Sequence, residues 1–372
     1  MISRSPTPSS SGAASPGIAR SATSRPAAPA PAWQRELAAG VRTVGELLAL
    51  LELPPEAAGE AGASGAAERQ FPVRVPRGFA ARMRRRDPRD PLLLQVLATA
   101  AEDEEVPGYG PDPLAESAAA PLPGVLHKYR NRVLLVATGA CAVHCRYCFR
   151  RHFPYGEQGL SGAGWDAALD YLATDRQIDE VILSGGDPLT LGDERLAALA
   201  ARLAAVPHLA RLRIHTRLPV VLPQRVGTPL LAWLTGGRLA PVVVVHANHP
   251  REIDAAVAAA LRRLRAAGVT VLNQSVLLAG INDDAATLAE LSRRLFAAGT
   301  LPYYLHLLDP VAGAAHFAVG EASARHLARR LAESLPGYLV PRLVRELPGA
   351  PAKEPVPLDA RADTSDHVEP RP

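Results

Sequence analysis

Between residues 132 and 309 the chain alternates short β-rich runs with helical stretches, and this rhythm restricts the fold more than any other feature. The β-rich runs are RVLLVAT (132–138), DEVILSGG (179–186), RLRIHT (211–216), PVVVVHA (241–247), VTVLNQSVLL (269–278) and PYYLHLLD (302–309). GWDAALDYLAT, ERLAALAARLAAV, EIDAAVAAALRRLRAAG and DAATLAELSRRLFAAG lie between them, with apolar residues at helical spacing. Strands alternating with helices predict right-handed βαβ units around a parallel sheet. Six such units make either a partial α/β barrel or an open doubly wound sheet. In both, ligands bind at the C-terminal ends of the strands.

The flanks differ in composition. Residues 1–32 are rich in Ser, Pro and Ala with few large apolar side chains, so they predict a disordered extension in preference to a transit peptide. Residues 33–126 predict a helical region, with TVGELLALLEL and DPLLLQVLATAAEDEE as its clearest helical patterns. The sheet domain is expected over 127–335, a Pro/Gly-rich segment over 336–356 and a disordered tail over 357–372. No run approaches the ~18–20 apolar residues of a membrane span. The net charge of +4 is spread along the chain without a dense basic block, which argues against nucleic acid as a partner.

The only three cysteines, Cys141, Cys145 and Cys148, fall in CAVHCRYC, directly after the first β-rich run. They are too close together to staple distant segments, and a reduced, cytoplasmic setting is expected. Three thiolates at C-x3-C-x2-C spacing fit a metal centre. Structural zinc needs a fourth ligand, for which His144 or His152 is available; an iron–sulfur cluster held by three thiolates keeps one iron open for a small molecule.

Two other features carry chemistry. EVILSGGDPL ends a strand with Ser184, Gly185, Gly186 and Asp187, a turn in which glycine permits positive φ or close backbone approach to a ligand. His246 and Gln274 fall at strand ends facing the same mouth. Lys128 and Lys353 are the only lysines among 41 basic residues. A lysine kept where arginine is the habit points to a task that charge alone does not explain, such as a Schiff base with an aldehyde cofactor.

The cysteine spacing, with Tyr147 before the third cysteine, resembles the signature of radical S-adenosylmethionine (SAM) enzymes. CFRRHFPYG, SGGDPL, HANHP, NQSVLLAGIND, PYYLHLLDPVAGAAHF and the terminal ELPGAPAKEP resemble the lysine 2,3-aminomutase family within that superfamily, over residues 126 to 355. The resemblance implies a partial (β/α)6 radical SAM barrel holding a [4Fe-4S] cluster on Cys141, Cys145 and Cys148. It implies SAM against Ser184–Asp187, His246 and Gln274. It further implies pyridoxal 5′-phosphate (PLP) on Lys353, with its phosphate near Lys128, Tyr129 and Arg132. Arg150 is expected to bind the substrate carboxylate, and Asp309, at the end of the sixth strand, and Glu346 its ε-ammonium. Glu346 departs from free lysine 2,3-aminomutases, which carry aspartate there.

The implied activity is a 2,3-amino shift that turns L-lysine into (R)-β-lysine. It would need an electron donor such as flavodoxin or ferredoxin, and would feed a ligase that β-lysylates elongation factor P. A free-lysine aminomutase of catabolism or secondary metabolism is the same-class alternative. A zinc-binding scaffold or nucleic-acid-binding protein is the different-class alternative.

Overall fold

The computed structural model describes residues 1, 30–58, 64–160 and 162–358. Most of the predicted N-terminal extension, and the tail beyond residue 358, lie outside the described residues. The described residues from Ala32 onward belong to one compact unit. Among the described residues no helix is long and apolar enough to cross a membrane.

The alternating pattern folds into a nine-stranded sheet in sequence order. It comprises β1 (Val125–Tyr129), β2 (Arg132–Thr138), β3 (Glu180–Gly185), β4 (Arg211–Thr216), β5 (Ala240–His246), β6 (Thr270–Val276), β7 (Leu301–His306), β8 (Arg342–Arg345) and β9 (Glu354–Pro355). Strands β2 to β8 are parallel; β1 and β9 are antiparallel edges. A parallel sheet with crossover helices, open edges and a strand order that never reverses is a partial barrel and not a doubly wound sheet.

The six predicted β runs become β2 to β7, each with bounds within three residues. Two of the differences matter. β7 ends at His306, so Asp309 lies in the following loop, not at a strand end. β8 joins the sheet, and β9 pairs with it through Val344↔Pro355 and Arg345↔Glu354. Lys353 directly precedes β9 and is therefore fastened to the barrel, not exposed on a tail.

The crossover helices follow from amphipathic spacing and capping. Asp254 accepts from the Val257 N–H to start Ala255–Ala266, which buries Val257, Ala260, Leu261 and Leu264 on one face. Asp284 caps Ala285–Ala297 in the same way.

The N-terminal region is less helical than predicted. TVGELLALLEL forms the helix Val44–Leu50, capped by Thr43. Residues 90–105 instead form turns and one short 3-10 helix, Ala100–Asp103. The carbonyls of this region are needed elsewhere. His144 N–H donates to Arg74 O at 3.0 Å and Arg146 N–H to Gln95 O at 2.9 Å. A continuous helix at Gln95 would take that carbonyl for itself. The cysteine segment is thus cradled by the backbone of residues 71–103.

Gly185 and Gly186 are required where β3 ends. Gly185 has φ +115°, and a Cβ on it would lie 2.5 Å from Thr138 O. A Cβ on Gly186 would strike Ala140 O and the Gly139 carbonyl carbon. The close approach lets Gly186 N–H donate to Thr138 O and Asp187 N–H to Ala140 O, both at 2.7 Å. This ties the glycine turn to the start of the cysteine loop.

Gly186→Ala is therefore expected to lower unfolding free energy by about 2–4 kcal/mol. Gly156→Ala, in exposed helix with open space at its Cβ, should stay within about 0.5 kcal/mol. Denaturant unfolding of both variants checks this, and equal stabilities would contradict it.

Candidate active site

One cavity of about 400 Å³ opens inside the barrel, and apart from His144 and His152 every candidate site residue named from the sequence lines it. Its walls have two chemically distinct ends.

The first end is the cysteine loop. Cys141, Cys145 and Cys148 all face the cavity. Among the described residues no three His, Cys, Asp or Glu side chains are placed to hold one metal ion. Three thiols on one cavity suit an iron–sulfur cluster with one open iron, whereas a closed zinc site needs a fourth ligand from the chain. His144 and His152 are engaged elsewhere, with Nδ1 of the former at 2.7 Å from Pro72 O and Nε2 of the latter at 3.0 Å from Ala312 O. Burial and the neighbouring thiols push Cys141 well up and Cys148 to about 11, so a positively charged iron centre is the natural counterpart that would hold them as thiolates.

Ser184, Gly185, Gly186 and Asp187 form the adjoining wall. The Asp187 carboxylate is fully engaged by the chain: it accepts from Leu189 N–H, Thr216 Oγ1, Arg217 N–H and Leu218 N–H at 2.7–3.1 Å. It thereby builds the turn after β4, and Asp187 lines the cavity together with Ser184, Gly185 and Gly186.

Farther along, Gln274 and His246 contact each other at 3.0 Å. Gln274 sits two residues before the end of β6, and His246 closes β5. Burial, with Arg217, Arg150 and Lys353 adding positive charge, brings His246 down to about 3. His215 and His306, unforeseen in the sequence, are also held neutral, chiefly by burial. The Nε2 atoms of both are buried without a hydrogen-bond partner among the described residues. Orphaned buried imidazoles are costly unless a ligand satisfies them, and they fit a cofactor with polar edges.

The second end is charged. Glu346, directly after β8, ion-pairs with Lys353 and with Lys128 (3.1 Å), and accepts from Tyr129 OH at 3.3 Å. Its carboxylate thereby links β1 to β8 across the open side of the barrel. Burial opposes its charge, but Lys353 and Lys128 hold it down at about 2. Asp309 behaves oppositely: burial and the charge of Glu346 push it up to about 7. Arg132 stacks 4.0 Å from the Tyr129 ring, so Lys128 and Arg132 give this wall two cations.

Between the ends stands Arg150. Its Nε and Nη2 donate to Glu116 at 2.6 and 2.7 Å, and Nη1 donates to Ser184 Oγ at 3.1 Å. A guanidinium has five N–H donors, so two remain for a cavity ligand. Glu116 was missed in the sequence. Ala115, at φ 48°, turns it inward, and a left-handed alanine leaves no sequence signal. Arg217, also missed, follows β4 directly; its place at a strand's C-terminal end was the available clue.

The Radical SAM superfamily profile matches residues 135–291. The chain is 49% identical over 329 residues to the L-lysine 2,3-aminomutase of Escherichia coli (strain K12), covering 88% of this chain and 95% of that protein. It is 50% identical over 307 residues to that of Haemophilus influenzae, covering 82% and 90% respectively. It is 43% identical over 286 residues to that of Buchnera aphidicola, covering 77% and 84%.

A carboxyl whose folded pKa is raised gives stability that is complete below its unfolded value and lost as pH rises through the folded one. For Asp309 that window runs from about 4 to about 7. Between pH 5 and 8 the cofactor-free protein should lose stability relative to Asp309→Asn, on the order of 2 kcal/mol. Denaturant unfolding at both pH values checks this; parallel pH dependence in the two proteins would contradict it.

Proposed function

The chain belongs to the lysine 2,3-aminomutase family of radical SAM isomerases, and we propose that it moves the 2-amino group of L-lysine to C3, giving (R)-β-lysine with PLP held on Lys353. The observation that carries the reading is the shared cavity: three cluster-type thiols line one end, and the only lysine outside β1 lies at the other. When bound, the cluster and SAM supply a carbon radical that removes hydrogen from the substrate, and PLP supplies the imine linkage through which nitrogen passes between adjacent carbons.

The residues divide the binding work by charge. Arg150 has two N–H donors left for the substrate carboxylate, and Glu116 fixes the plane in which they point. Glu346 and Asp309 receive the ε-ammonium. Glu346 is engaged by Lys353, and Lys353 must leave it to serve the cofactor, so the carboxylate becomes available as the cofactor binds. A cation arriving beside Asp309 favours its charged form, so a neutral side chain gains nothing there. This pair selects against substrates ending in an acid or an alkyl group. Lys128, Tyr129 and Arg132 supply cations and a hydroxyl for the phosphate of PLP. His246 and Gln274 offer neutral polar atoms to the adenosine of SAM, and Ser184–Gly186 line the wall beside the cluster.

In this reading β-lysine passes to a ligase that attaches it to elongation factor P. Glu346 in place of the aspartate of free lysine 2,3-aminomutases supports that branch over a metabolic one. A one-electron carrier such as flavodoxin or ferredoxin supplies the electron, and the setting is the cytoplasm.

The Lys353→Arg variant tests the cofactor assignment. Arginine keeps a cation beside Glu346 but forms no Schiff base. Borohydride reduction of the PLP-loaded protein should leave a pyridoxyl group on Lys353 and none on the variant, whose turnover should fall at least ~10³-fold. Full turnover in the variant would disprove the assignment.

A further inference from the structure

We propose that Arg217 sets the reduction potential of the iron–sulfur cluster by donating a charged hydrogen bond to the sulfur of Cys145. The proposal rests on the reading of Cys141, Cys145 and Cys148 as cluster ligands.

Arg217 is 5% exposed. Its Nη1 donates to Cys145 Sγ at 2.7 Å, and its Nη2 donates to Gln95 Oε1 at 2.6 Å and Glu252 Oε2 at 2.9 Å. Its backbone N–H is held by Asp187 at 2.7 Å, and the Tyr147 ring lies 5.7 Å from the guanidinium carbon. Glu252 is fully buried and is itself fixed by Asn248 N–H at 2.8 Å and Gln95 Nε2 at 3.2 Å. Three of the five guanidinium N–H groups are thus engaged, both of those on Nη2 and one on Nη1, while Nε has no partner among the described groups.

Such an arrangement is expensive for stability alone, because apolar residues of similar volume often replace a buried ion pair without loss. What apolar residues do not replace is a positive N–H on a ligand sulfur. Reduction adds one electron to the cluster, with no bond broken and no proton moved, and part of the added charge resides on the sulfurs. A cation donating to Cys145 stabilises the reduced state more than the oxidised state and so raises the potential. Glu252 offsets part of that field. The pair sets a poise between a bare arginine and no charge.

The two members therefore act with opposite sign, which packing does not imitate. Reconstituted, SAM-free protein is titrated anaerobically with redox mediators, the reduced cluster being followed by electron paramagnetic resonance and its loading by iron and sulfide analysis. Arg217→Gln should reduce the equilibrium constant for reduction at least tenfold, a downward shift of about 59 mV per tenfold for a one-electron couple. Glu252→Gln should shift the potential upward. An unchanged potential in loaded Arg217→Gln overturns the proposal. If that variant fails to load, an unchanged or lowered potential in Glu252→Gln overturns it. If the unsubstituted chain assembles no four-iron cluster, the cysteine assignment beneath the proposal falls instead.

Discussion

The buried carboxylate of Glu102 is the interaction on which the cavity depends. It receives Arg146 and Arg151, both at 0% side-chain exposure, and these arginines flank Cys148. Nη1 of Arg151 also donates to Arg146 O at 3.1 Å and to Gly313 O at 2.9 Å, which carries the grip to the loop after β7. The cysteine loop has almost no regular structure, so its shape comes from such pins. Without Glu102 two guanidiniums would be buried side by side with no counter-charge, at a cost of about 3–5 kcal/mol. The backbone of residues 71–103 gives up helical continuity to supply the remaining acceptors. The N-terminal region is thereby a mould for the metal end of the site.

The same logic of buried charge runs through the cavity to the lysine end. Glu116 holds both Arg150 and Lys128, and Lys128 reaches Glu346, which holds Lys353. These contacts form one connected chain from Arg150 to Lys353. The carboxylates along it differ in state because their neighbours differ. Glu346 has two ammonium groups in direct contact and stays ionised, whereas at Asp309 burial and the charge of Glu346 outweigh the more distant Lys353 and Lys128, and it rises to about 7. An acid kept neutral at rest and one kept charged are suited to receive a cation without holding an uncompensated negative charge beforehand.

Much of this was legible in the sequence because strand–helix alternation and cysteine spacing are local signals. RLRIHT became β4 with unchanged bounds, and each of the other five β runs became a strand. Lys353 stood out against an arginine background, and the cavity it lines also holds all three cysteines. What failed depended on partners distant in the chain. DPLLLQVLATAAEDEE has helical periodicity, yet the pull of Arg146 on the Gln95 carbonyl outweighs it. The part of the Asp187 carboxylate in holding the turn that carries Arg217 was not legible either, because Arg217 lies 30 residues away. Glu116 and Arg217 have ordinary local contexts, and their importance exists only once segments about 30 to 120 residues apart are brought together. β8 is four residues long, too short for its alternation to be read before its pairing with β7 is known.

The central claim is that the thiol end and the lysine end of one cavity act on the same substrate molecule, with hydrogen passing directly between substrate and the adenosyl carbon of SAM. The most direct measurement is anaerobic turnover of L-lysine deuterated at C3, with SAM, PLP and a strong one-electron reductant, followed by mass spectrometry of β-lysine and SAM. The account predicts β-lysine as product, with deuterium appearing in the 5′-methylene of recovered SAM and in the product. Deuterium lost wholly to solvent, or β-lysine formed without label entering SAM, would contradict it.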